Sequence, residues 1–204
     1  VFLVFFFDTK IGNPNEIKRL SSIPVLGAIG KSDSKNNLVV IEDPRSAIAE
    51  AFRGLRSSLQ FIYRKQQLKG AKTVRVTSSV SGEGKTFCSI NLASVFALSQ
   101  RKTVLVGLDL RKPKIFGDFD LPNVNGVVNY LIGDSTLEEI IQPTKIPYLD
   151  VILAGAVPPN PSELMMSSQM DVLMEALKKE YDYIILDTPP VGLVSDALEL
   201  DTYV

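Results

Sequence analysis

Histidine and tryptophan are absent from the 204 residues, and cysteine occurs once, at Cys88. Without histidine there is no His-based catalytic triad, no His-ligated zinc and no imidazole general base. A single cysteine forms no internal disulfide, so the sequence asks for no oxidising compartment. Cys88 has no neighbour that suggests a reactive thiolate and reads as a small core residue. An excess of one charge is also missing: 22 Lys and Arg stand against 23 Asp and Glu, a net charge of −1. That balance does not indicate a large basic surface, and no nucleic-acid partner is expected. Val1–Phe7 (VFLVFFF) is apolar but lacks a charged n-region, so it is a poor signal peptide. A membrane-spanning helix takes about 20 apolar residues, so this run is either the tail of one or a buried strand or core-helix start. Both ends read as interior sequence, and the chain is expected to be a fragment. What is present, 45% hydrophobic and 22% charged residues, fits an ordinary globular domain. Its chemistry must come from carboxylates, Lys, Arg, hydroxyls and backbone amides.

Asn13-Pro14-Asn15-Glu16 has the polar cap and early proline of a helix start, predicting a short helix to about Leu20. Ile23–Gly27 breaks it, and Lys31–Asn37 is a polar linker. A long helix is predicted from Pro44 to about Gln67, with Ala47, Ile48, Ala51, Phe52, Leu55 and Leu59 on one side and Glu50, Arg53 and Arg56 on the other. From Lys72 the pattern alternates strands and helices. Strands are expected at Thr73–Ser78, Thr103–Leu108, Tyr148–Leu153 and Tyr183–Leu186, and helices at Gly84–Leu98 and from Asn160 in broken form toward Lys179. Ser135-Thr136-Leu137-Glu138 reads as a Ser-x-x-Glu capping box opening a short helix. Asp201–Val204 reads as the opening of a strand. The alternation predicts an α/β fold, a doubly wound and mostly parallel sheet with helices on both faces. The expected division is a membrane-proximal segment and linker over 1–40 and this α/β domain over 41–204, truncated at its C-terminus.

Ser79-Val80-Ser81-Gly82-Glu83-Gly84-Lys85-Thr86 lies between a strand and a helix and matches the P-loop pattern except that Ser79 replaces its first Gly. Glycines let backbone N–H groups turn toward phosphate oxygens, and the helix N-terminus adds partial positive charge. Lys85 would reach the β/γ-phosphates and the Thr86 hydroxyl would ligate Mg²⁺. Tyr183–Pro190 (YIILDTPP) is an apolar strand ending in an acid, as a Walker B segment does, so Asp187 is a candidate Mg²⁺ carboxylate. Val104–Pro113 (VLVGLDLRKP) runs another apolar strand into Asp109, a candidate second carboxylate facing the γ-phosphate.

Together these segments resemble the cytoplasmic kinase domain of the bacterial tyrosine autokinases (BY-kinases) of capsule and exopolysaccharide export, the polysaccharide co-polymerase family. Glu50-Ala51-Phe52-Arg53-Gly54-Leu55-Arg56 fits that family's E-x-x-R-x-x-R oligomerisation motif, and Gly155–Leu164 (GAVPPNPSEL) is similar to its G-x-x-P-P-N-P-x-E-L segment. Ile23–Gly30 resembles the stretch after the family's second membrane helix, which favours reading Val1–Phe7 as the end of that helix. The resemblance implies a P-loop kinase fold using ATP and Mg²⁺. It implies ATP binding at Gly82, Glu83, Gly84, Lys85, Thr86 and Phe87, metal binding by Thr86, Asp109 and Asp187, and catalysis by Lys85, Asp109 and Arg111. Glu50, Arg53 and Arg56 would join subunits in a homo-oligomeric ring that phosphorylates in trans. Export machinery and a phosphotyrosine phosphatase are the implied partners, at the cytoplasmic face of the bacterial inner membrane. Two positions depart from the family: Gly107 replaces the first acid of its Asp-x-Asp, and Ser81 stands where Pro is common. The family's C-terminal tyrosine cluster is not in this sequence. A nucleotide switch of the partitioning and cell-division ATPase class shares the expected fold, but its signature P-loop Lys is here Val80. An ATP-binding assembly scaffold with little turnover is the third reading, kept open by Gly107.

Overall fold

The computed structural model describes residues 14–32, 34, 36–192 and 200–204. Strands β1 (Lys72–Val76), β2 (Thr103–Gly107), β3 (Ile141–Pro143), β4 (Leu149–Ile152) and β5 (Tyr183–Asp187) form one sheet in the order β1-β5-β2-β4-β3. All neighbours are parallel except β3, which runs antiparallel to β4. The helices are α1 (Pro14–Leu20), α2 (Val39–Glu42), α3 (Ala47–Lys65), α4 (Lys85–Ala97), α5 (Val127–Leu131), α6 (Leu137–Ile140), α7 (Pro161–Met165) and α8 (Ser168–Glu180). The expected doubly wound α/β architecture is what the chain forms.

Period-2 alternation divides the core between the two faces of the sheet. Leu105 and Ile185 point into a cluster with Phe52 and Leu59 of α3 and Ile90, Ala93 and Phe96 of α4. Val104, Val106, Ile184 and Leu186 point the other way, onto Leu173, Met174 and Leu177 of α8 and Val127 and Leu131 of α5. Every residue of β2 and β5 is buried, which is why both read as continuous apolar runs. Helix α4 is apolar nearly all round because it is sandwiched, with α3 on one side and β5 and β2 on the other.

Several boundaries differ from expectation, each for a local reason. Helix α3 starts at Ala47, three residues after Pro44, because the Ser46 hydroxyl accepts the Ala49 N–H at 3.1 Å and fixes the N-cap there. The capping box sits one residue later than predicted: Thr136 is the N-cap of α6, and its N–H donates to Glu139 Oε2 at 2.8 Å. Residues 200–203 form a 3-10 turn, not a strand; the Tyr203 hydroxyl donates to Asp171 of α8 at 2.7 Å and Asp201 pairs with Arg75 at 2.7 Å. Strand β3 and helix α2 had no sequence signal long enough to announce them. Asn13 and Val1–Phe7 lie outside the described residues. Among the described residues no helix is long and apolar enough to cross a membrane.

Candidate nucleotide site

Register places three strand ends at one level. Val76, Asp187 and Gly107 pair across β1, β5 and β2, so the loops that follow β1 and β2 flank Asp187. That is the carboxyl edge of the sheet, where ligands of open α/β folds bind. The loop after β1 is stitched to the segment after β5: Val191 N–H donates to Ser78 O at 2.9 Å and Gly192 N–H to Ser79 O at 3.2 Å. The turn into α4 then requires positive φ at Gly82 (92°) and Gly84 (90°), conformations that L side chains resist.

Helix α4 starts at Lys85, which is 8% exposed. One turn of it faces Asp187. Thr86 Oγ1 donates to Asp187 Oδ2 at 2.9 Å, and Ser89 Oγ donates to Asp187 Oδ1 at the same distance. Burial pushes the Asp187 carboxyl up to about 6; the two hydroxyls and the Lys85 charge pull it down, and the Asp109 charge pushes it up. Lys85, Thr86, Asp109 and Asp187 thus act on one another electrostatically or by direct bonds. Ser89 is a member that sequence reasoning missed; its signal was the spacing, since position 89 follows Lys85 by one turn on the same face. This set has the hydroxyl and carboxylate oxygens a hard divalent cation takes, beside backbone amides at a helix start.

Asp109 lies two residues past β2, and its carboxylate accepts the Lys112 N–H at 3.1 Å. A small recess between it and Asp187 is lined by Gly107, Ile115, Phe116 and Asn123. A Cβ at Gly107 would meet Ile115 Cδ1 at 3.3 Å and Ala154 N at 3.4 Å, so an acid there would fit tightly and need the Ile115 side chain to give by a few tenths of an ångström. Arg111 is exposed and donates to the Ser162 hydroxyl at 3.0 Å, joining the loop after β2 to the start of α7. Phe87 is half-buried and turns its ring against Phe52 of α3, centroids 5.8 Å apart. The Cys88 thiol is half-buried and is pushed up by burial and by the Asp187 charge, the reverse of activation.

The three residues of the oligomerisation motif do not share one face. Glu50 and Arg53 pair with each other on the outside of α3, and Arg53 also donates to Pro44 O at 2.7 Å. Arg56 is placed on the inner side instead: Nη1 donates to Val95 O in α4 at 3.0 Å, and Nε is buried without a partner. At 100° per residue, position 56 falls between Ala49 and Phe52, both fully buried, which explains the inward turn. Arg56→Ala is therefore expected to cost about 1–2 kcal/mol in urea denaturation, through loss of a tie to the last turn of α4. Arg53→Ala and Glu50→Ala should stay within about 0.5 kcal/mol of the parent, as exposed pairs do. Equal losses at 53 and 56 would refute the division.

A protein-family model described as an AAA domain matches residues 71–199. The tyrosine-protein kinase YwqD of Bacillus subtilis (strain 168) is 37% identical over 166 residues, 81% of this chain and 69% of that protein. The solved kinase domain of the Escherichia coli tyrosine kinase ETK superposes with TM-score 0.88 at 33% identity, over 96% of this chain and 80% of that one. The septum site-determining protein MinD of Pyrococcus horikoshii, solved with Mg-ADP, superposes with TM-score 0.55 at 25% identity, over 65% of this chain and 54% of that one. The likeness to kinases is thus both wider and tighter than that to the cell-division ATPase, and with the P-loop, the two strand-end acids and the Glu50–Arg56 helix it decides the assignment: the chain belongs to the bacterial tyrosine-protein kinase family.

Proposed function

We propose that this chain is the kinase domain of a capsule or exopolysaccharide autokinase, transferring the γ-phosphoryl group of Mg²⁺-ATP to tyrosines of a neighbouring subunit. The observation that carries the proposal is the carboxyl edge of the sheet, where Thr86, Ser89, Lys85 and Asp109 converge electrostatically on Asp187. In this reading the amides of Gly82–Phe87 and the Lys85 ammonium hold the phosphates. Thr86 and Asp187 would hold Mg²⁺, which would supply charge neutralisation for phosphoryl transfer. Asp109 faces the acceptor hydroxyl and takes its proton, and Arg111 ties the loop after β2 to the start of α7. Glu50 and Arg53 form the subunit contact, so that one subunit's tyrosines meet the next subunit's P-loop. Membrane attachment through segments preceding this domain, at the cytoplasmic face, is part of the same proposal, as are the export machinery and a phosphotyrosine phosphatase as partners.

Asp109→Asn in the intact protein is expected to lower tyrosine phosphorylation by about a hundredfold or more, with Mg²⁺-ATP affinity little changed. Gly107→Asp should add little by itself, because its Cβ would crowd Ile115 Cδ1 at 3.3 Å. Normal phosphorylation by Asp109→Asn would remove it from the catalytic set. A strong gain from Gly107→Asp would favour the scaffold reading, in which the natural protein turns over little.

A further inference from the structure

One P-loop side chain is not explained by phosphate binding. Glu83 carries a negative charge in the loop proposed to hold a triphosphate, yet its carboxylate turns back onto the loop itself. Glu83 Oε2 accepts the N–H of Ser79 at 2.9 Å and that of Val80 at 3.3 Å. Ser79 is in turn anchored at its carbonyl by the Gly192 N–H. The flanking glycines are needed for conformation and not for room, since a Cβ at Gly82 or Gly84 would touch nothing within 4 Å. The carboxylate therefore closes the loop on its anchored base across Gly82, and the second positive-φ residue, Gly84, follows it directly at the start of α4.

We infer that Glu83 is a positioning residue that pre-shapes the P-loop by closing it on the Ser79 and Val80 amides, at a cost in repulsion toward the bound phosphates. This rests on the nucleotide-binding reading above. Its two effects oppose each other and can be separated chemically. As an acceptor, Glu83 spares the loop an ordering cost that would otherwise fall on nucleotide binding. As an anion, it disfavours the triphosphate.

Three variants of the intact protein, titrated calorimetrically with Mg²⁺-ATP, test this. Glu83→Gln keeps an acceptor oxygen and removes the charge, so it should bind as tightly as the parent or tighter. Glu83→Ala loses both, and is expected to bind roughly three- to tenfold more weakly than Glu83→Gln. Glu83→Asp keeps the charge but falls one methylene short of the two amides, so it should be the weakest of the three. The change should fall on KM for ATP more than on kcat, and thermal unfolding of the nucleotide-free variants should match the parent, because the tie is exposed. Equal affinities for Glu83→Gln and Glu83→Ala would overturn the inference and reduce Glu83 to a surface charge. A fall in unfolding temperature that tracks the affinity loss would also overturn it, making the tie a general structural one. A parent protein that binds no Mg²⁺-ATP would instead refute the nucleotide site itself, and this inference with it.

Discussion

Lys85→Met is expected to weaken Mg²⁺-ATP binding by about 30- to 150-fold while the protein stays folded. Lys85 opens α4 directly after Gly84, whose φ of 90° turns the chain, and its side chain is held 8% exposed. Methionine keeps most of the stem volume and the apolar contacts, so the substitution removes little besides the ammonium. A charge-assisted bond to a phosphate oxygen contributes about 2–3 kcal/mol, which converts to the range stated. The variant carries an internal check on the electrostatics. Lys85 pulls the Asp187 carboxyl down, so removing it should move Asp187 further above its present value of about 6. Calorimetric titration reads the first effect and carboxyl NMR the second. Unchanged affinity would remove Lys85 from the phosphate site.

Asp187→Asn is expected to abolish phosphorylation yet make the metal-free protein more stable at neutral pH. The group's folded value, about 6, lies above the 3.8 of an unburied carboxyl, and the chief cause is burial. Between those values the folded state holds a proton that the unfolded state has lost, so stability falls as pH rises through the window from about 4 to about 6. Two units of displacement correspond to ~3 kcal/mol lost by neutral pH, as an order of magnitude. Asparagine carries no charge to desolvate, so the difference between variant and parent should be near zero at about pH 4 and favour the variant above about pH 6. Urea denaturation across that range, without Mg²⁺, measures it. A variant less stable than the parent at neutral pH would show that the Thr86 and Ser89 bonds outweigh the desolvation. The strain is the expected counterpart of function: a carboxylate that is costly when bare is one that gains from a bound cation.

Most of the site was legible because its elements are short-range patterns. The P-loop needs glycines and a Lys-Thr pair within a few residues, and a buried parallel strand needs only a run such as YIIL before its acid. Arg56 shows where such reading stops. In the sequence it belongs with Glu50 and Arg53 as part of one charged face, because charge on a long helix ordinarily faces solvent. In the fold α3 is covered on that flank by α4, and the guanidinium serves Val95 instead. The capping box failed on a smaller scale, since Ser135 and Thr136 are equally good caps and the chain used the second.

The sequence by itself determined the class of fold, strands β1, β2, β4 and β5 with the long helices α3, α4 and α8, and the candidacy of Lys85, Thr86, Asp109 and Asp187, since these follow from local periodicity and loop chemistry. The tertiary structure alone decided which groups surround Asp187. Ser89 joins it because α4 packs against β5 with that turn facing the strand end. Glu83 turns inward because the Ser79 and Val80 amides are within its reach. Gly107 is tight for a larger side chain because Ile115, eight positions on, folds back against it. Each of these depends on distances between segments that are apart in the chain or curled on themselves, and a linear pattern contains no such distance.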